Sequence, residues 1–587
     1  MVLEGGLLRE RGGEYVLEGP LPSLAIPTTL QASLMARLDR LSPVRDIAQI
    51  GAVAGREFHY ELVRAVSGLP KQRLDEALDQ LVRSELIFCR GEIPHAVYTF
   101  KHALVRDAAY SGLLKSRRVA LHASIADAIE QRFPEIVEAQ PETLAHHLTV
   151  AGLLEKAGGY WLEAGKKAAM RSANLEAIAH LQRGIETSVH LPDGARKDRL
   201  ELDFQFALGP CLIATQGPAS NKAVATFTRA RELCERLGDP PEQLQIMFWL
   251  ATGSVIRGEL PVAEETVAVL LHLAEARGNR PALLNAMRGQ AMIRLFMGHL
   301  IGAREAIERA VEAFDASTEE ERLAARAAGQ DAGVADLALM SWILWLLGHG
   351  DTAIIRMDAA IQRADDIGHP HSQAYACYYA SVLHALRGEL LTAHRYAERC
   401  LILSEEHGFR QWQGLARAVR GICATFLDPS YSALEEIRTA MNEYRGAGYQ
   451  LGITALYVLL CPALLLSNQC EAAVELIEQG LATTSRNSER VFEAELYRLK
   501  ARTLLVRGAP DAGTEAQSRL DQALTTARSQ HAKALELRAA MDLAALWIDR
   551  GRREEALELL APIYAGCTEG FETHDLKEAK ALLDRLR

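Results

Sequence analysis

The sequence predicts an all-α fold: a tetratricopeptide-like (TPR-like) α-solenoid, a superhelix of helix pairs with a period of about 40 residues, preceded by a small winged-helix domain. Three observations predict it. Gly258, Gly298, Gly348, Gly388, Asp428, Asn468 and Gly508 follow one another at 40 residues, except for one step of 50. An alanine stands five residues after each of the first six, at 263, 303, 353, 393, 433 and 473. A small side chain there lets the second helix of a pair cross closely over the first. The third observation is size. At 587 residues with 6% aromatics the chain exceeds one ordinary core, and a repeat array escapes that limit because each repeat packs on its neighbours.

The elements follow in order. Residues 1–25 read as a hairpin, LLRER and EYVLE flanking Gly12-Gly13, with little to bury by itself. Residues 26–103 have a different grammar. IPTTLQASLMARLDRL opens a helix, further helices are predicted near 43–54, 58–66 and 71–84, and two β-like runs, LIFCR and VYTFK, follow. Helices before a two-stranded ribbon make a winged-helix layout. Residues 104–140 read as linking helices, with Pro134 stopping the one that begins near 103. About ten helix pairs then fill 141–587, and DLKEAKALLDRLR supplies a polar capping helix.

Composition narrows the function. The net charge of -11 is modest for this length and its signs are interleaved, which argues against a general nucleic-acid coat. Nine cysteines without C-x-x-C spacing read as reduced, mostly buried thiols. There is no basic-then-apolar leader pattern at the N-terminus, and the longest apolar run, 455–467, is too short and proline-interrupted to span a bilayer, so a cytoplasmic location is expected.

The sequence contains no H-E-x-x-H, G-x-S-x-G, dinucleotide-binding fingerprint or EF-hand loop, so no cofactor is expected. The nearest approach to a phosphate loop, Gly159…Gly165-Lys166-Lys167, lacks the Ser/Thr and falls inside a helix whose amides are already bonded. His146-His147 point about 100° apart on a helix, which favours a structural role over joint metal ligation. Arg117-Arg118 with Lys101, Arg106 and Lys115 could touch phosphate, or could be a solvated face diluted by Asp107, Asp127 and Glu130.

Binding residues are expected on the first helices of the pairs. Trp249, Trp342, Trp345, Tyr375, Tyr378, Tyr379, Trp412, Tyr457 and Tyr497 all precede turn residues, where they would either line a concave groove or fill the inter-repeat core. The 50-residue step holds AARAAGQDAGVAD, an insertion expected to form a loop on one face. Asp331 within it would cap the helix that follows, or reach the groove beside His371.

These stretches carry a family resemblance. IPTTLQASLMARLDRLSPVRDIAQIGAVAGREF, YTFKHALVRDAAYSGLLKSRR, ALGPCLIATQG, GQDAGVADLAL and APIYAGCTEGFETHDLKEAKALLDRLR resemble, in order and over nearly the whole chain, the C-terminal half of bacterial proteins that join a class III adenylate/guanylate cyclase, a STAND-type AAA-like ATPase and a TPR array. The resemblance implies that GLLRERGGEYVL is the last piece of the ATPase module and 26–103 its winged helix. The cyclase aspartates and Walker motifs would lie upstream of Met1. The chain is then expected to be a non-catalytic sensor or scaffold arm, binding a protein or small effector in its groove and serving a separately encoded ATPase or cyclase. His102, in TFKHALVRD, matches a position that in STAND ATPases can sense bound nucleotide phosphates; a His packed at the ribbon–helix junction is the other reading of that residue. Two other readings stand beside this one: a large STAND-type transcription regulator, and an in-trans subunit of a cyclase.

Overall fold

The computed structural model describes residues 8–11, 14–17, 44–326, 329–427, 433–508 and 510–586. Among them are 29 helices and five short strands. The fold is all-α, a TPR-like solenoid of antiparallel helix pairs. The helix expected at the start of 26–103 lies outside the described residues, as does Asp428. The chain divides into two compact units, Met1–Leu208 and Gly209–Arg587, the division falling inside the helix Ala195–Gln216.

In the first unit, strands Leu8–Arg11 and Glu14–Leu17 pair antiparallel, Leu8 opposite Leu17, as the flanks of Gly12-Gly13 predict. Next come the helix Val44–Ala54, strand Glu57–His59, helices Tyr60–Ser67 and Lys71–Arg83, strands Ile87–Arg90 and Val97–Phe100, and helix Ala103–Ser111. Val97–Phe100 is the middle strand of three, antiparallel to both neighbours. The strand Glu57–His59 replaces the start of the helix predicted over 58–66. Its out–in–out alternation spans three residues, too few to read as a period. Phe58 faces inward, stacks on Tyr98 at 5.7 Å and sits where a Cβ on Gly51 would be, so glycine at 51 gives the ring its seat. The helix Lys71–Arg83 buries Leu74, Ala77, Leu78 and Leu81, the i, i+3, i+4, i+7 stripe of an amphipathic helix.

Helices Lys115–Arg132, Pro134–Ala139, Pro141–Val150, Leu154–Met170 and Asn174–Val189 complete this unit with the start of Ala195–Gln216. Pro134 opens a new helix at its first turn, where its missing N–H costs nothing. Gly165 lies mid-helix, and Leu181 packs 2.5 Å from where its Cβ would be. Close packing of two helices, not phosphate binding, accounts for that glycine.

The second unit carries the array. Gly258, Gly298, Gly348, Gly388, Asn468 and Gly508 all have positive φ, between 56° and 94°. The period in the sequence is therefore a period of left-handed residues ending first helices, a conformation Gly and Asn reach at least cost. The six alanines expected at helix crossings are all buried.

Turns about five helix pairs apart meet and bond through their backbones. The Ile256 carbonyl accepts from the Gln450 and Leu451 amides at 2.8 and 3.3 Å, and the Phe296 carbonyl from Arg490 and Val491 at 2.8 and 3.1 Å. The Arg538 guanidinium donates to the Leu386 carbonyl, and Gly570 N donates to Asp351 at 2.9 Å. The superhelix thereby closes on its own axis. Helices Ala332–Leu346, Pro370–Leu386 and Ile453–Leu466 are buried around most of their circumference, as helices apolar on every face must be. An open groove lined by first-helix aromatics is thus replaced over this stretch by a filled interior.

All nine cysteines are free thiols, six of them buried. Burial pushes Cys377, Cys423 and Cys461 up to about 12. Among the described residues no helix is long and apolar enough to cross a membrane.

Candidate functional site

One part of the filled interior is left open. A cavity of about 270 Å³ lies among the helices Gln243–Ile256, Arg280–Phe296, Pro370–Leu386 and Arg410–Leu427, with Gly329-Gln330 of the insertion on one side. Ligand pockets start near ~300 Å³, so this one suits a compact molecule. Trp249, Arg288, His371, Tyr375, Tyr379 and Trp412 dominate its walls.

Local sequence places them. Asn279 caps the helix Arg280–Phe296 by accepting from Ala282 N at 3.0 Å, and Arg288 falls on that helix's buried side with Leu284, Ala291 and Leu295. Pro370 opens the helix Pro370–Leu386, and His371, Tyr375 and Tyr379 follow at i, i+4, i+8, one stripe of one face. The Tyr375 and Tyr379 rings stack at 4.6 Å, and Trp412 meets Tyr375 edge-on at 5.5 Å. On the other wall Trp249 stacks on Phe227 at 6.3 Å.

The polar atoms are unusual for a protein interior. Trp412 Nε1 donates to His371 Nε2 at 3.1 Å. Arg288 Nη2 donates to Asn285 Oδ1 at 2.7 Å. Among the described residues Arg288 Nη1, Trp249 Nε1 and His371 Nδ1 are buried without a partner, and so are both carboxylate oxygens of Asp336. Burial pushes Asp336 up to about 7, against the pull of Arg288. Burial also lowers His371 to about 4, so its ring is neutral.

The 50-residue step is partly helical. Thr318 and Glu321 cap each other's amides to start the helix Glu319–Arg326. Asp331 then fastens its end. Its carboxylate accepts from Val334 N at 3.0 Å, from Arg363 at 2.7 Å and from Arg326 at 3.2 Å, and its own amide donates to Ser372 at 2.9 Å. Burial opposes ionisation of Asp331, but the bonds from Arg363, Val334 N and Arg326 prevail and hold the carboxyl below its usual value. Arg322 and Arg363 both lie over Phe314, each 4.6 Å from the ring centre.

Five of the candidate aromatics and histidines therefore meet at one cavity: Trp249, His371, Tyr375, Tyr379 and Trp412. The others go elsewhere. Asp331 acts as the helix cap. Trp342 packs against Phe296, Tyr379 and Phe492 and donates its indole N–H to the Tyr379 carbonyl at 2.9 Å. Trp345 lies beneath the Arg538 guanidinium at 5.3 Å. His102, in the first unit, is exposed at the strand–helix junction rather than packed. His147 joins a buried cluster in that unit, its Nδ1 2.9 Å from His122 Nδ1, while Tyr110 OH sits 3.1 Å from His122 Nε2. Burial lowers His122 to about 4 and His147 to about 3. Among the described residues no group of three His, Cys, Asp or Glu side chains is arranged to hold a metal ion.

Sequence reading missed Arg288 and Asp336. The signal was present: Asp336 is the lone charge in AGVADLALMSWILWL, where an acid has no solvent to face.

No family model matches the chain. A curated relative, an uncharacterised protein of Rhizobium meliloti (strain 1021), is 25% identical over 533 residues, covering 89% of this chain and 51% of its own. The chain thus spans about half the length of the curated relative it matches. Among solved structures, a Rap protein complexed with competence and sporulation factor aligns over 74% of this chain and 100% of its own at 13% identity, with a TM-score of 0.36. A Signal Transduction ATPase with Numerous Domains (STAND) protein with a tetratricopeptide repeat sensor, from Pyrococcus horikoshii, aligns over 83% of this chain and 69% of its own at 14% identity, TM-score 0.36. Yeast Tom70 aligns over 73% and 96% at 14% identity, TM-score 0.30.

Proposed function

We propose that the chain is a ligand-responsive, non-catalytic interaction arm, with the cavity as its sensing site and the TPR-like superhelix as the element that answers. One observation carries this reading. Ile256 and Leu451 both line the cavity, and they are the two sides of a backbone joint that closes the superhelix. A molecule in the cavity touches helices several pairs apart and that joint together. It favours the closed state by whatever affinity difference it has between closed and opened forms.

In the finer reading the first unit's three-stranded, helix-flanked module is a winged helix that relays the closure to a partner ATPase or cyclase, as the family resemblance implies. The helix Lys71–Arg83 exposes Lys71, Arg73 and Arg83 beside Glu76 and Asp79, a balanced face that offers phosphates no footprint and disfavours the DNA-regulator alternative.

Hydrogen exchange on the full chain tests the proposal with naphthalene-2-methanol, a flat neutral probe. Binding is expected to slow exchange at the Gln450 and Leu451 amides. Unchanged exchange there at saturating probe, or protection confined to other surfaces, sinks it.

A further inference from the structure

Each unpartnered nitrogen of the cavity can be assigned a role. A tryptophan N–H and an arginine N–H are donors in every state. His371 is less obvious, because a neutral imidazole has one donor and one acceptor nitrogen. Trp412 settles it. Its indole can only donate, so His371 Nε2 is the acceptor and the ring proton sits on Nδ1. Arg288 Nη1, Trp249 Nε1 and His371 Nδ1 are therefore three buried N–H donors without partners in one cavity. Arg288 as a residue is only 7% exposed. Buried donors left unpaired each cost free energy, and three around one apolar space ask for an acceptor to fill it.

Resting on the sensing-site reading above, we infer that the cavity takes a compact, flat, largely apolar molecule bearing a carboxylate, its anion seated on Arg288 and its ring between Trp249 and the Tyr375–Trp412 wall. A cationic head has no acceptor to meet among these three groups, and a neutral one forgoes the charge on Arg288. A peptide segment needs donors matched as well as acceptors, and more room than about 270 Å³.

Asp336 makes the binding pH-dependent. Arg288, Asp331 and Arg363 are the charged groups that act on it, and Tyr375 lies within its field. While protonated, Asp336 leaves Arg288 free for the ligand. Its helix, Ala332–Leu346, packs against the helix that carries Arg288, so once ionised its charge draws on the same guanidinium. Affinity for an anion should therefore fall as pH rises through about 7, the value to which Asp336 is pushed. His371 stays neutral across that range, being lowered to about 4.

The test uses three probes with one ring system, 2-naphthoate, naphthalene-2-methanol and 2-naphthylmethylamine, titrated against the full chain by calorimetry at pH 6 and pH 8.5. 2-Naphthoate is expected to bind at least tenfold more tightly than the other two at pH 6, and to weaken severalfold at pH 8.5. Arg288→Gln should erase the preference while leaving the neutral probe bound, Arg288→Lys should restore part of it, and Asp336→Asn should remove the pH dependence. The inference is overturned if the alcohol or the amine matches the carboxylate, or if the preference survives in Arg288→Gln. If none of the three binds, the sensing-site reading falls and takes this inference with it. Binding of the alcohol alone overturns only the choice of ligand class.

Discussion

Two chambers of the second unit differ in kind, and the larger of this pair is the less suited to a ligand. It has a volume of about 510 Å³ and holds Glu495, Arg498, Arg538, Asp542 and Asp575. Every one of these charges is answered. Arg498 bonds Glu495 at 2.7 and 2.8 Å and Asp542 at 2.7 Å, and Arg538 bonds Asp575 at 2.8 Å as well as the Leu386 carbonyl. The aromatic cavity is about half that size, yet three donors and one carboxyl group in and beside it have no partner. Volume measures how imperfectly helices pack, whereas unmet hydrogen-bonding capacity measures what is missing. A satisfied network holds structure together, and an unsatisfied one has hydrogen bonds to offer a ligand.

The two chambers differ most in what they contribute to stability. Glu495→Ala leaves Arg498 and Arg538 buried with too few counter-charges and should cost about 3–5 kcal/mol in denaturant unfolding. Arg288→Met removes one hydrogen bond, to Asn285, and should cost only about 1 kcal/mol. Equal losses would mean that the aromatic cavity is as structural as the arginine chamber.

The next effect is in pH. Asp336 is raised to about 7 when folded, far above the ordinary unfolded carboxyl. Between those values the folded state holds a proton that the unfolded state has released. Stability therefore falls as pH rises from about 4 to about 7, by roughly 1.4 kcal/mol per pH unit. Glu489, also raised to about 7 by burial, adds to the same slope. Asp336→Asn should flatten its share of the slope, measured by thermal melts from pH 4 to 8, while Glu495→Ala in the paired chamber should not. An unaltered slope in Asp336→Asn would show that the acid is ionised and partnered in solution.

Asp331 sharpens the contrast, since it stands five residues before Asp336, is equally buried and yet is fully bonded. Asp331→Asn keeps the helix cap but gives up charge at Arg326 and Arg363. It should cost about 1–2 kcal/mol. Loosening should appear as faster amide exchange in the insertion helix Glu319–Arg326, beside the cavity. If exchange there is unchanged, Asp331 does not hold the insertion in place.

What was legible in the sequence divides along the same line. The array announced itself because its period rests on local backbone demands: a left-handed residue such as Gly298 or Asn468, then an alanine such as Ala303 or Ala473 at a crossing. Trp342 and Trp412 looked alike, because both stand on the first helix of a pair, ahead of its turn residue. What separates them is closure between turns about five pairs apart, such as Ile256 with Gln450, and no local pattern encodes that meeting. Trp342 sits under the closure and becomes core, while Trp412 sits beside it and faces a cavity. Arg288 was hidden for the opposite reason. A lone arginine on a helix normally reads as surface, and only its burial shows that it is a feature of the site.

The smallest effect tests whether closure is a cause or a consequence of packing. Thr352 Oγ1 donates to Glu569 Oε2 at 2.8 Å, and Thr352 N approaches Glu569 Oε1 at 3.4 Å, pinning a middle turn to the last one. Neither residue is fully buried, so water can replace the lost bond and Thr352→Ala should cost only about 1 kcal/mol. The informative readout is local. If the pins maintain closure, amide exchange near Gly570 should quicken in Thr352→Ala while the Ile256–Gln450 joint keeps its protection, since separate backbone bonds hold that joint. If exchange quickens at both, the joints open together, and a ligand at one joint would govern the other. If neither moves, interior packing around Trp342 and Phe492 already fixes the superhelix, and the turn-to-turn bonds only decorate a shape set by the core.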